Sequence, residues 1–173
     1  IWQSGLGLPD KDYYFNETER FEKLRSGYVA HIENMFTKSG LTEGKSAAET
    51  IMAIETKLAG FHWTRVETRD SEKTYNKFEV TNLNSVTDTF DWKAFLKAQG
   101  AADQKNIIIN QPDFVKGFGE VFAATTLADW KKYLTFHTLS NFATYLTADI
   151  DNENFDFYSK QLSGRKEQRP QWK

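Results

Sequence analysis

The sequence predicts an all-α fold, and three observations support this prediction. Apolar residues recur at steps of three and four over most of the chain, which is the spacing of one helix face. Only one short β-branched run, Ile107-Ile108-Ile109, is typical of a strand. Aromatic residues make up 15% of the chain and mostly fall at helical spacing, which favours a firm core over an aromatic-lined groove. We therefore expect about seven helices in a single domain over residues 1–173.

Two long helices are predicted in the first third of the chain, after an irregular entry segment at residues 5–10. An apolar stripe predicts an amphipathic helix over 17–38, ended by Ser39-Gly40 and formed by Phe21, Leu24, Tyr28, Ile32 and Met35. Ser46, with Glu49 three residues later, predicts the N-cap and capping box of a second helix that runs to Phe61.

Helical periodicity is lost between Thr64 and Phe90, where charges of alternating sign dominate. A structureless loop of this length is improbable inside a compact domain, so we expect an ordered connection with one short helix near 80–86. Asp91 is predicted to start another short helix, which Gly100 ends. The strand-like run at 107–109 is expected to lie extended against helices or to pair with chain that is absent here.

Three further helices are predicted in the last third. Pro112 suits the first turn of one helix, in which Gly117 and Gly119 each cost about 1 kcal/mol relative to alanine unless a neighbour packs closely there. A helix of about twenty residues follows Thr126 and reaches Leu146. The last helix is predicted over 149–162, with a stop at Gly164.

Charge and composition exclude several function classes. With 24 acidic and 22 basic side chains the net charge is −2, which argues against nucleic-acid binding by phosphate neutralisation. No apolar run is long enough to predict a membrane-spanning segment. Cysteine is absent, which excludes disulfide scaffolds and thiolate zinc sites. Gly5-Leu6-Gly7 lacks the third glycine of a dinucleotide-binding motif, so no nucleotide site is expected.

Motifs for metal binding and nucleophilic catalysis are also missing. None of the three histidines, His31, His62 and His137, has a second histidine one helical turn away, which is the spacing of zinc peptidase ligands. His31-Ile32-Glu33 is the nearest to a partial site, and a hydrogen-bonding role for His31 is favoured over metal binding. No serine lies in a G-x-S-x-G turn. We therefore predict no catalytic, cofactor-binding or metal-binding residue in this chain.

Short stretches along nearly the whole chain carry a family resemblance. They are Gly5-Leu6-Gly7-Leu8-Pro9-Asp10-Lys11-Asp12-Tyr13-Tyr14, Ile54-Glu55-Thr56-Lys57-Leu58-Ala59, Arg69-Asp70, Tyr75-Asn76-Lys77, Phe90-Asp91-Trp92, Gln111-Pro112-Asp113-Phe114, Asp129-Trp130-Lys131-Lys132-Tyr133-Leu134, Phe155-Asp156-Phe157-Tyr158, Leu162-Ser163-Gly164 and Gln168-Arg169-Pro170-Gln171-Trp172. Each stretch alone is weak. In this order and spacing they resemble the amino-terminal region of the neprilysin and endothelin-converting-enzyme family of zinc metallopeptidases, in particular its bacterial oligopeptidase members.

The resemblance implies a helical lid domain that caps a thermolysin-like catalytic domain. It also implies that the lid encloses the active site in a chamber that favours short peptides over folded proteins. The family's zinc ligands, in an HExxH helix and a later glutamate, lie beyond this sequence, so zinc is expected in the parent protein and not in this chain. The expected partners are the catalytic domain of the same polypeptide and the peptide substrates of the parent. The fragment alone is expected to be inactive.

The charged residues in the resembling stretches are expected to have structural roles. We expect Asp12 to cap or bridge a neighbouring helix end, and Arg69 with Asp70 to order the connection around Tyr75-Asn76 by charge-assisted hydrogen bonds. If Arg65 or Arg69 faced the chamber, it would steer the carboxylates of peptides.

A second function class stays open, which is a free-standing α-helical interaction module that docks a partner through exposed aromatic surface. The gene downstream of Lys173 distinguishes the two classes. The start at Ile1-Trp2-Gln3, without an initiator methionine or a leader, favours a piece of a longer chain. Because eukaryotic family members carry cysteines that are absent here, a bacterial source is expected, and the cell envelope is the favoured location.

Overall fold

The computed structural model describes residues 1–168, and it confirms the all-α class. The α-helices in this range are α1 (Asp12–Phe15), α2 (Glu19–Lys38), α3 (Gly44–Phe61), α4 (Trp92–Ala98), α5 (Pro112–Ala124), α6 (Leu127–Asn141) and α7 (Ala148–Phe155). Tighter or wider helical turns occur at Glu67–Arg69, Val80–Ser85, Ala143–Tyr145 and Asp156–Gln161. None of the helices in the described range combines the length and the apolar character that crossing a bilayer requires.

The described residues form two compact units. The first unit contains Ile1–Lys11 and Glu55–Thr126, and the second contains Asp12–Ile54 with the described part of Leu127–Lys173. Each unit has buried apolar side chains of its own, such as Leu83 and Ile109 in the first and Ile32 in the second.

Aromatic rings form the core of the second unit. Tyr28, Phe136 and Phe157 are fully buried, and the Tyr28 ring lies 5.7 Å from the Phe136 ring and 5.4 Å from the Phe157 ring. Tyr28, Ile32 and Met35 all lie on the stripe that predicted a long amphipathic helix. The prediction of this helix is confirmed, with a start at Glu19 and an end at Lys38.

The start of α3 differs from the prediction. The helix begins at Gly44, so Ser46 lies inside it and its hydroxyl donates to the carbonyl of Glu43 at 3.1 Å. A Cβ atom at Gly44 would lie 2.8 Å from the backbone oxygen of Glu33, so glycine lets the first turn of α3 approach α2 closely. The predicted N-cap at Ser46 is therefore wrong, because a tertiary contact sets the start of this helix.

The strand-like run pairs within the chain. Strand β1 (Lys77–Glu79) and strand β2 (Asn106–Ile108) form an antiparallel ladder in which Phe78 lies opposite Ile107. The expectation of an isolated segment or an absent partner was wrong, because the polar connection itself supplies the second strand. Phe78 lies between the charged residues Lys77 and Glu79, and this alternation is typical of a strand with one exposed face. The short helix predicted near 80–86 is present as the 3₁₀ turn Val80–Ser85.

Helices α4 and α5 in the first unit follow the predicted signals. Asp91 caps α4, since its carboxylate accepts hydrogen bonds from the backbone N–H groups of Lys93 and Ala94 at 2.9 and 3.1 Å. Gly100 ends the turn with φ of +68°. Pro112 is the first residue of α5. Gly117 has the close neighbour that the sequence analysis required, because a Cβ atom there would lie 2.1 Å from the Phe61 ring.

The predicted helix from Thr126 to Leu146 is too long. Helix α6 ends at Asn141, the 3₁₀ turn Ala143–Tyr145 follows, and extended backbone at Leu146 and Thr147 precedes α7. No glycine or proline marks this break. The break lets α7 fold back so that both Ala143 and Ile150 are buried, which is a tertiary effect. The last predicted helix is present as α7 with the wider turn Asp156–Gln161.

Candidate functional site

His31 is buried in the aromatic core of the second unit. Its ring is 1% exposed and stacks on Phe157 with 4.9 Å between ring centroids. Its Nδ1 lies 3.2 Å from Oε1 of Glu153, and a carboxylate only accepts, so Nδ1 carries the proton of the neutral ring. Burial lowers the pKa of His31, although Glu153 acts to raise it. The imidazole is therefore neutral at pH 7 and is used for packing.

Burial of neutral His31 makes the stability of the chain sensitive to acid. Because the folded pKa is lowered, the stabilisation is complete above about pH 6.5, the unfolded value, and is lost as the pH falls below it. We expect His31→Phe, whose ring suits the same aromatic surroundings, to weaken the loss of stability between pH 7.5 and pH 5. Glu153→Gln should steepen that loss, because it removes the charge that favours protonated His31. Urea unfolding at both pH values measures this, and identical pH dependence in all three proteins would contradict it.

His62 anchors the amino-terminal segment of the first unit. Its Nε2 lies 3.2 Å from the backbone oxygen of Ser4, and its own backbone oxygen accepts from Nζ of Lys11 at 2.9 Å. The ring packs edge-on against Phe114 with 4.8 Å between centroids. Burial lowers the pKa of His62 more than the Ser4 contact raises it. Both the ring and the backbone of His62 thus hold residues 4–11 in place.

Glu55 is a buried acid that the sequence analysis did not single out. Its side chain is fully buried, and Oε2 accepts from the backbone N–H of Gly7 at 3.1 Å. Glu55 lies one turn from Ile51 and Leu58 on the buried stripe of α3, and this position is the signal that could have found it. The contact joins two of the family-resembling stretches, 5–14 and 54–59, so it gives that part of the resemblance a structural reason.

A hollow of about 290 Å³ lies in the first unit beside the amino-terminal segment. Gln3 and Trp63 both line it and are bonded to each other, since the Gln3 amide donates to the Trp63 carbonyl at 3.0 Å and accepts from its N–H at 2.8 Å. Arg65 lies at the same hollow, where its Nε contacts Oδ2 of Asp10 at 2.7 Å. Asp10 balances the charge of Arg65 at this position. Steering of peptide carboxylates by Arg65 stays a prediction.

The polar connection is ordered by its own side chains. Oδ1 of Asp70 accepts from the backbone N–H groups of Glu72 and Lys73, both at 3.0 Å, and the Asn76 amide donates to the Lys73 carbonyl at 2.8 Å. The expected ordering role is therefore confirmed for Asp70, and for Arg69 it stays a prediction. Arg69 is the last residue of a 3₁₀ turn.

Two further acids, Glu67 and Asp12, each begin a short helical element. Lys73 and the donors of Thr64 lower the pKa of exposed Glu67 to about 2, so this carboxylate remains charged at neutral pH and is unsuited to proton transfer. Asp12 is the first residue of α1, a helix of one turn.

The described residues do not fit a zinc ion. A protein zinc site takes three or four His, Cys, Asp or Glu ligands, and no group of three such side chains able to hold a metal occurs in residues 1–168. The partial motif His31-Ile32-Glu33 is not assembled, because His31 is buried against Glu153 while Glu33 is exposed. We therefore assign no step of metal chemistry to this chain.

A family model described as Peptidase family M13 matches residues 1–173, the whole of this chain. The chain belongs to peptidase family M13. Among M13 relatives, endothelin-converting enzyme 1 of Rattus norvegicus is 24% identical over 99% of this chain. Neprilysin-3 of Drosophila melanogaster is 27% identical over 70% of it. The resemblance stated from the sequence motifs is confirmed, and the motif that follows Gln168 lies outside the described residues.

Solved structures of an M13 relative have the same fold. The zinc metalloprotease Zmp1 of Mycobacterium tuberculosis in its open state is 32% identical over 99% of this chain, with a TM-score of 0.92. The Zmp1 complex with an inhibitor is 33% identical over 98% of this chain, with a TM-score of 0.90. This chain spans only about a quarter of its relatives, namely 27% of open-state Zmp1 and 23% of the rat enzyme.

Proposed function

We propose that this M13 chain is the lid domain of a longer zinc metalloendopeptidase that hydrolyses short peptides. In this proposal the chain provides walls of the chamber around the active site and limits which substrates enter. The zinc ligands and the catalytic groups belong to the rest of the polypeptide, and the chain alone neither binds zinc nor cleaves peptides.

The observation that carries this proposal is the extent of the M13 match. The family model matches all of this chain, whereas the chain covers only 27% of Zmp1, which is described as a zinc metalloprotease. The acids and histidines with the deepest burial, Glu55, His31 and His62, have structural hydrogen-bond partners. A mainly helical region whose buried polar groups serve structural hydrogen bonds suits a role in forming the chamber and limiting the access of substrates.

The gene and the protein that it encodes test the proposal. We expect the full-length protein to contain an HExxH motif downstream of Lys173, to bind stoichiometric zinc, and to cleave short fluorogenic peptides faster than longer peptides or unfolded casein. Residues 1–173 produced alone should bind no zinc and cleave none of these substrates. Elemental analysis and a peptide length series measure both properties.

Three results would contradict the proposal. Metal-dependent turnover by residues 1–173 alone would mean that the catalytic groups lie in this chain. Equal cleavage of short peptides and casein by the full-length enzyme would contradict the proposed role of this chain in limiting which substrates enter. A stop codon directly after Lys173 would favour the free-standing interaction module.

A further inference from the structure

Helix α6 carries apolar side chains on two opposite sides. On the inner side Phe136 and Tyr133 are buried in the second unit. On the outer side Leu127 is exposed, and Leu134 keeps 59% of its surface exposed. These two leucines are seven residues apart, about two helical turns, so they lie on one stripe. Exposed Lys131 lies between them on this stripe, so the outer side of α6 is mixed, with large apolar side chains where a surface helix is normally polar.

Exposed apolar side chains also follow the end of α6. Phe142, Leu146 and Tyr145 are all exposed, and Tyr145 retains 83% of its surface. The rings of Phe142 and Tyr145 contact each other with 6.5 Å between centroids. We name Leu127, Leu134, Phe142, Tyr145 and Leu146 the α6 patch. Single exposed apolar residues are normal on a protein surface, but several large ones on one helix and the turn after it are typical of an interaction surface.

The α6 patch lies on a chain that is only a part of the M13 polypeptides it matches. This chain accounts for 27% of Zmp1 and 23% of rat endothelin-converting enzyme 1, so most of an M13 polypeptide lies outside it. A tethered segment of the same polypeptide reaches its contact surface at high effective concentration, without a second binding partner. We propose that the α6 patch is the surface on which the remaining part of the same polypeptide packs. This inference rests on the proposed function only in requiring a longer M13 polypeptide.

Covalent footprinting of the full-length protein tests the inference directly. Hydroxyl-radical labelling oxidises exposed tyrosine and phenylalanine side chains, and mass spectrometry gives the rate at each one. We expect Tyr145 and Phe142 to react several-fold more slowly than exposed Phe15, an aromatic residue of the same unit that lies outside the α6 patch. The protection should be the same over a hundredfold dilution of the protein.

Matched variants of the full-length protein give a second measurement. We expect Leu134→Asp with Tyr145→Asp to lower the melting temperature by several degrees and to speed limited proteolysis, because the charges enter a covered surface. Phe15→Asp, at an exposed position outside the α6 patch, should change neither. In residues 1–173 produced alone, the double variant should keep the circular dichroism of the parent chain, which excludes a simple failure to fold.

The outcomes separate this inference from the proposed function. Rapid labelling of Tyr145 together with an unchanged melting temperature of the double variant would overturn the inference even if the enzyme bound zinc and cleaved peptides. Protection that disappears on dilution would assign the patch to a second copy and would also overturn it. Protection in a full-length protein that lacks zinc and peptidase activity would support the inference and reject the proposed function.

Discussion

Phe136→Ala is expected to lower the free energy of unfolding of the chain by about 3–5 kcal/mol, the usual cost of removing a buried aromatic ring. The ring is fully buried and packs edge-on against Tyr28 at 5.7 Å and His31 at 5.8 Å between centroids. Its removal leaves a cavity among large rings, which cannot close without moving α2 or α6. Urea unfolding followed by circular dichroism measures the change.

Phe142→Ala is the matched control for this variant. It makes the same chemical change at an exposed position of the same unit, so in residues 1–173 it should alter stability by no more than about 0.5 kcal/mol. Equal effects of the two substitutions would mean that the aromatic core of the second unit does not carry its stability.

Gly117→Ala is expected to destabilise the chain although alanine favours helices. A Cβ atom at this position would lie 2.1 Å from Cγ of Phe61 and 2.3 Å from its Cδ1, so the whole ring must move. Overpacking of this kind costs about 1–3 kcal/mol. Alanine in place of glycine regains about 1 kcal/mol of helix propensity. The net effect should therefore be a loss, measured as a lower urea midpoint.

A double-mutant cycle tests whether the Phe61 ring is the cause. When Phe61→Ala removes the ring, Gly117→Ala should become neutral or stabilising, since only the gain in helix propensity remains. If Gly117→Ala were already stabilising with Phe61 intact, the close approach of α3 and α5 at this point would be disproved.

The elements that the sequence predicted well are those with local signals. The stripe from Phe21 to Met35 is a repeat of one helix face, and Asp91 and Pro112 are helix-start residues that act on their own backbone. The elements that it missed depend on distant residues. The start of α3 follows from the approach of Gly44 to Glu33, and β1 pairs with β2 although 26 residues separate Glu79 from Asn106.

In the candidate site, too, the sequence predicted the features that depend on nearby residues and missed those that depend on distant ones. The absence of a zinc motif follows from histidine spacing alone, and the ordering role of Asp70 follows from short-range turn chemistry. The contact between Glu55 and Gly7 joins residues that are 48 positions apart, so no local pattern contains it. The α6 patch needed the structure as well, because apolar residues on both sides of a helix do not reveal from sequence which side stays exposed.

The way the two units divide the chain has a consequence for biosynthesis. The first unit joins Ile1–Lys11 to Glu55–Thr126, and the second takes up the residues between these segments together with those that follow. Residues 1–11 are therefore synthesised before partners such as His62 and Gln111, and they can pack only after these residues have followed. Neither unit is a continuous stretch of sequence, so no single truncation can yield one of them intact. Folding during translation must consequently be a late event for both units.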